Sequence, residues 1–145
     1  MRGQISIDLI FSIMLLLLVS IFLSYSIFSF SDTQLVSYVG DRVESMMDNI
    51  ENFMLVSYAK DLDISYKLKP IGDNYTIIIK NRALTVVNSP IHILIVPNND
   101  GVNIIMPNST LVNDIGNKIK IIVNINGKAY NFTKTLKVNI VNVTS

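Results

Sequence analysis

One carboxylate, Asp8, stands at the mouth of an apolar run, at the end of the stretch Arg2-Gly3-Gln4-Ile5-Ser6-Ile7-Asp8. The following 22 residues, Leu9 to Phe30, hold no charge, no glycine and no proline, and their only polar side chains are serines and Tyr25. A carboxylate at the edge of such a run is costly to bring into lipid and calls for a partner of opposite charge. Other candidate chemistry is sparse. The chain has no cysteine, which excludes disulfides, thiolate nucleophiles and cysteine-ligated metals. His92 is the only histidine and sits within Ile91-His-Ile-Leu-Ile, so a buried or edge packing role is expected, and with no second histidine and no cysteine a histidine-based dyad is unsupported. Asn98-Asn99-Asp100-Gly101 offers oxygen ligands but lacks the spacing and terminal glutamate of a calcium loop, and reads as a turn. Asp61-x-Asp63 reads as a solvated helix end. Glycine-rich phosphate loops and basic, aromatic-interleaved patches are missing, and a formal charge of +1 gives no nucleic-acid signal. No catalytic residue, metal site or cofactor is therefore expected, and the chain does not read as an enzyme. Four Asn-x-Ser/Thr sequons remain as possible N-glycosylation sites: Asn74, Asn108, Asn131 and Asn142.

The elements that must carry Asp8 follow from the run itself. As a helix rising about 1.5 Å per residue, Leu9 to Phe30 would reach roughly 33 Å, enough for a hydrocarbon core of about 30 Å. Three readings of residues 1–30 compete. A secretory signal could be removed at Ser24-Tyr25-Ser26, but the run is too long and the acidic residue before it is atypical. A plain uncleaved anchor fits the length and leaves Asp8 unexplained. The third reading supplies a partner for Asp8.

Gln4-x-Ser6-x-Asp8, directly after Gly3 and before a long uncharged segment, resembles the start of archaeal type IV pilin-like proteins with a class III (Gln-x-Ser-x-Glu/Asp) prepilin signal. The sequence departs from the commonest form in holding Asp rather than Glu at the acidic position, which keeps the charge and shortens its reach. The resemblance covers about thirty residues. It implies that a membrane prepilin peptidase cuts between Gly3 and Gln4, that the apolar helix stays in the mature protein, and that this helix packs into a filament core. Such a cut would create an α-amine that is largely protonated at neutral pH. Pairing that amine with Asp8 of a neighbouring subunit would satisfy both charges and set axial register, with Gln4, Ser6 and Asp8 as the register residues. Pairing within one chain is the competing geometry. Ser20 and Ser24 form a small-xxx-small pair for close helix approach.

Beyond Ser31-Asp32-Thr33 the helical period continues. Leu35, Val39, Val43, Met46, Ile50, Phe53 or Met54, and Ser57 or Tyr58 form an apolar stripe, with Asp41, Glu44, Asp48, Glu51 and Lys60 opposite. One helix from about Ile5 to Lys60, softened at Gly40, is expected. From Ile64 the period changes to two. Fourteen of the sixteen asparagines and all four prolines lie in residues 64–145, marking a turn-rich second half. Strands are expected at 64–69, 75–80, 83–88, 91–96, 102–106, 118–125 and 128–140, with loop at 108–116. Asn126-Gly127 is a type I′ hairpin signal, and the alternation slips at Val141.

The expected fold is α+β: a long N-terminal helix, transmembrane then amphipathic, packed on an antiparallel β-sandwich or barrel-like domain. The organisation reads as a leader (1–3), an assembly helix (4–31), an amphipathic continuation (32–62) and an extracellular β-domain (63–145). Arg2 before the run places the short N-terminus in the cytoplasm. Expected partners are membrane lipid, a prepilin peptidase and copies of itself or other pilins, and not nucleic acid. The favoured role is a structural subunit of a surface filament. The alternative is a permanently anchored extracellular module that contacts envelope, surface-layer or glycan components.

Overall fold

The computed structural model describes residues 2–71, 74–113 and 116–145, without the side chains of Arg2, Gly3 and Ile5. The leader residue Met1, the Gly72-Asp73 end of the first expected turn, and residues 114 and 115 of the expected loop lie outside this description. The chain forms two compact units, Met1–Tyr38 and Val39–Ser145. Helix α1 (Arg2–Lys60) carries through both. Nothing in its sequence stops it sooner, and Gly40 does not interrupt it. The Phe132 ring packs there instead: a Cβ at Gly40 would lie 3.4 Å from it, an ordinary contact.

The helix ends by a Schellman turn. Asp61 takes a left-handed conformation (φ 53°) and the Leu62 amide donates to the Ser57 carbonyl at 3.2 Å. Lys60 adds a cation to the last turn, where the helix dipole favours it.

Nine strands follow: β1 (Ile64–Leu68), β2 (Tyr75–Ile79), β3 (Arg82–Val86), β4 (Ile91–Asn98), β5 (Gly101–Ile105), β6 (Thr110–Leu111), β7 (Lys118–Ile125), β8 (Lys128–Thr135) and β9 (Ile140–Thr144). They make two sheets, ordered β1-β4-β5-β9 and β6-β3-β2-β7-β8. The architecture is α+β, and the sheets stay open rather than closing into a barrel. Alternate residues are buried in each, among them Ile93, Ile95, Val102 and Ile104 in the first sheet and Ile77, Ile79, Ile119, Ile121 and Val123 in the second. That is the pattern of layers facing a core. The Asn126-Gly127 turn forms as expected, with φ of 50° and 78° and Ile125 opposite Lys128. Pro97 lies within β4 beyond its last pairing with β1, where its missing N–H costs no ladder bond.

Other expectations are corrected. The second sheet is antiparallel throughout, but β9 pairs with β5 in parallel, so the first sheet is mixed. The expected strand 128–140 is two: β8 ends at Thr135, residues 136–139 cross over, and β9 joins the other sheet. Leu136, Val138 and Ile140 stay buried through the crossing, so the alternation never reveals the break. The slip at Val141 is a bulge, since Val102 pairs with Ile140 and Asn103 with Asn142. The bulged carbonyl accepts from Lys80 Nζ at 3.0 Å. Within the expected loop 108–116, β6 pairs with β3. Ile78 is half-buried on the outer face of its sheet.

The crossing segment is held from several sides. The Leu136 amide donates to the Asn117 carbonyl at 3.1 Å, and the Asn139 carbonyl accepts from Val102 at 3.0 Å. Gly101 sits against this carbonyl, and a Cβ there would lie 2.0 Å from the Asn139 oxygen. Gly101→Ala is therefore expected to destabilise the outer unit by at least about 2 kcal/mol, through displaced backbone. Gly127→Ala, whose Cβ meets nothing within 4 Å, is expected to cost only the left-handed strain of about 1 kcal/mol. Denaturant unfolding of the two variants in detergent checks the order, and equal or reversed losses would contradict it.

Candidate assembly helix and its N-terminal motif

Gln4, Ser6 and Asp8 lie on the first turns of α1, and all three side chains are exposed. The Gly3 backbone is helical as well. Among the described residues the Asp8 carboxylate has no hydrogen-bond or ion-pair partner, whereas its backbone carbonyl accepts from Ser12 Oγ at 2.8 Å. Gln4, Ser6 and Asp8 thus share one helix end, and the Asp8 carboxylate is without a partner among the described residues.

The apolar run that follows is bare. Leu9, Leu16, Phe22 and Phe28 are 59–72% exposed, and no residue from Leu9 to Phe30 is buried. The segment's mean hydropathy reaches 2.6 over its best window, well within the range of a membrane span. Its Ser20 and Ser24 bond within the helix. Ser20 Oγ donates to the Leu16 carbonyl and Ser24 Oγ to the Ser20 carbonyl, each at 2.8 Å, so these hydroxyls are satisfied inside the helix. The surface left over is apolar except for scattered serines and Tyr25, and suits lipid or another apolar helix.

From Val39 the helix changes partner. Val39, Val43, Met46, Met47, Ile50, Met54 and Ser57 are buried, so the stripe forms largely as expected. Leu35, Phe53 and Tyr58 are exposed or at its margin. The helix touches an edge strand of each sheet. Phe53 meets Tyr66 of β1 with ring centroids 5.2 Å apart, and Gly40 meets Phe132 of β8.

Sequence periodicity put Glu51 on the solvent face, and the structure buries it to 5% exposure. Its Oε2 accepts from the Lys137 amide at 3.1 Å, and its Oε1 lies 3.6 Å from Lys134 Nζ, which also bonds Asp48. Glu51 is the polar tie between the helix and the crossing segment. The signal was faint: Asp48 and Glu51 are three apart, one turn of the same flank, opposite a lysine-bearing strand. His92 is also corrected. It is exposed on the outer face of the first sheet, with Nδ1 3.3 Å from Ser65 Oγ.

The four sequon asparagines Asn74, Asn108, Asn131 and Asn142 are exposed, with Asn108 in a left-handed turn (φ 54°). An open cleft of about 440 Å³ lies between α1 and β1, lined by Asn49, Phe53, Tyr66 and Lys69 among others. Among the described residues no cluster of His, Asp or Glu could hold a metal.

Comparison with known proteins agrees with this reading of the helix. The chain is 37% identical over 141 residues to the uncharacterized protein MJ1467 of Methanocaldococcus jannaschii, covering 96% of this chain and 76% of that protein. It is 30% identical over 100 residues to the minor structural pilin EpdC of Methanococcus maripaludis, covering 68% of this chain and 64% of that pilin. No family model and no solved structure matches the chain. Together with the apolar N-terminal helix, these similarities support a pilin-like, single-pass membrane-anchored protein. The chain belongs to one family with the M. jannaschii protein.

Two outcomes follow for the outer unit. Glu51→Ala strands the Lys137 amide and weakens the hold on Lys134, so a loss of about 2–4 kcal/mol is expected, against less than about 1 for Asp48→Ala at its exposed site. Alkaline pH should unfold the domain. The Asp48 hydrogen bond and Glu51 raise the Lys134 pKa above its ordinary 10.5, and burial raises those of Tyr66 and Tyr75 above 10.0. The folded state therefore holds protons that the unfolded chain releases. Stability is intact below about pH 10 and falls as pH rises beyond it. A pH titration of the unfolding midpoint checks the sign, and a flat midpoint from pH 9 to 12 would contradict it.

Proposed function

We propose that this chain is a structural pilin-like subunit. A prepilin peptidase cuts it between Gly3 and Gln4, and Leu9–Phe30 then holds it in the cell membrane, with a short cytoplasmic N-terminus and the β-domain outside. It assembles with copies of itself or other pilins into a surface filament. The observation that carries this reading is a 22-residue uncharged helical run with no buried residue, headed by a carboxylate that has no partner among the described residues. Packing such helices against one another removes their apolar surface from contact with water or lipid. Asp8 of one subunit takes the new α-amine of the next as its counter-charge, and the pair fixes axial register because neither charge is tolerated alone in an apolar core. No step requires catalysis, a metal or a cofactor. The exposed sequon asparagines are accessible for glycosylation on the outer surface.

A second reading draws on the cleft beside Phe53 and Tyr66: the same helix as a permanent anchor for an extracellular module that binds an envelope component. Substitution at Asp8 separates the two. Asp8→Ala is expected to insert into the membrane normally and to enter filaments poorly, while Asp8→Glu retains assembly. Normal filament incorporation of Asp8→Ala would refute the register role and favour the anchored module.

A further inference from the structure

The outer unit is electrically divided. Residues 39–63, the helix and its end, carry six acidic and two basic side chains, and residues 64–145 carry nine basic and three acidic. Part of this division is used internally. On the helix flank Asp41, Glu44, Asp48 and Glu51 recur at three- and four-residue steps, and the last two are taken by Lys134 and the Lys137 amide. Asp41 and Glu44 are exposed and, among the described residues, without a partner.

Lys118 and Lys120 of the same unit lie out of their reach. Lys134 is half-buried against the helix, so its strand neighbours Thr133 and Thr135 point to the opposite, outer face of the sheet. Lys120 pairs with Thr133 and Lys118 with Thr135 across β7 and β8, which puts both lysines on that outer face. Lys118 is exposed, Lys120 half-exposed, and neither has a partner among the described residues. The sheet itself lies between these lysines and the helix of their own chain. Their spacing nonetheless matches: residues two apart on a strand are about 6.7 Å apart, and helix residues three apart about 5–6 Å. Half-buried Ile78 and Ile122 on the same outer face add apolar area.

We propose that the acidic pair Asp41 and Glu44 of one copy docks on the Lys118–Lys120 face of the next. This deepens the filament reading, on which the choice of a second copy as partner rests. The two patches lie on different faces of one unit, so the contact is heterologous. A head-to-tail contact that does not close into a ring propagates as an open helical array, as a filament requires.

The cysteine-free chain allows a direct test. Full-length chains carrying Ser45→Cys, beside Asp41 and Glu44, are co-expressed in native membranes with differently tagged chains carrying Thr135→Cys, opposite Lys118. Oxidation is expected to give the mixed disulfide dimer. Reversing the acidic pair (Asp41→Lys with Glu44→Lys) on the first chain should lower its yield roughly tenfold, the scale for two exposed pairs made repulsive. Adding Lys118→Glu with Lys120→Glu to the second chain should restore it. A mixed dimer indifferent to both reversals, symmetric Ser45→Cys dimers alone, or no cross-link would overturn the contact. Filament yield is read in parallel. Normal filaments without the mixed dimer would sink this contact and spare the filament reading. A charge-sensitive mixed dimer without filaments would do the reverse.

Discussion

An apolar helical run with no buried residue constrains everything else in this protein. Each large side chain between Leu9 and Phe30 would release roughly 1.5–3 kcal/mol on leaving water, and more than a dozen of them stand bare, so the segment's demand is tens of kcal/mol. No rearrangement of a β-domain of some eighty residues could meet it while keeping its own core. The demand is met by lipid, by other helices, or by each in turn. The internal satisfaction of Ser20 and Ser24 leaves both routes open, because neither hydroxyl asks water for a hydrogen bond. Asp8 is the one group for which the two environments differ. At a lipid edge it can face the aqueous side, whereas among packed helices it needs a cation.

The outer unit shows how the chain joins helix to sheets without disulfides. Apolar burial along Val39, Val43, Ile50 and Met54 provides most of the adhesion, and Glu51 provides its address. A buried carboxylate accepting from the crossing segment's amide penalises any slip of the helix along the domain, since a shifted Glu51 would be buried and unpaired. Gly101 works on the same crossing from the other side: only a residue without a side chain lets the two strands of the first sheet come so close to it. The division of charge between helix and sheets then serves two levels, fastening the helix through Lys134 and leaving an acidic pair and a basic face for neighbours.

Much of this was legible in the sequence, and the exceptions have physical causes. The long helix is written in uninterrupted periodicity without proline, and the Asn126-Gly127 hairpin in the one dipeptide that tolerates two left-handed residues at little cost. Even the bulge at Val141 appears as a slipped alternation. Where β8 gives way to β9 the reading fails, because a strand that turns a corner between sheets keeps its inward residues inward, so Leu136, Val138 and Ile140 look like one strand. Parallel pairing of β9 with β5 is likewise invisible, since burial alternation is the same in either direction. Glu51 was misplaced because residue type outweighs angle in a periodicity count, and His92 because apolar neighbours on a strand alternate with it rather than surround it. At the N-terminus Gln4, Ser6 and Asp8 lie exposed on the helix. Their chemistry depends on a second subunit and on a cleavage, neither of which one chain can display.

The N-terminus of the protein in its native membranes and surface filaments bears most directly on the whole account. Intact mass and terminal peptide sequencing would read it. The account predicts a start at Gln4, with the apolar helix retained and a free α-amine one helical turn from Asp8. A start at Met1 or Arg2 would leave a simple anchored domain and reduce Asp8 to an edge charge. A start near Ile27 would mean that the helix is discarded, contradicting an account built on its packing.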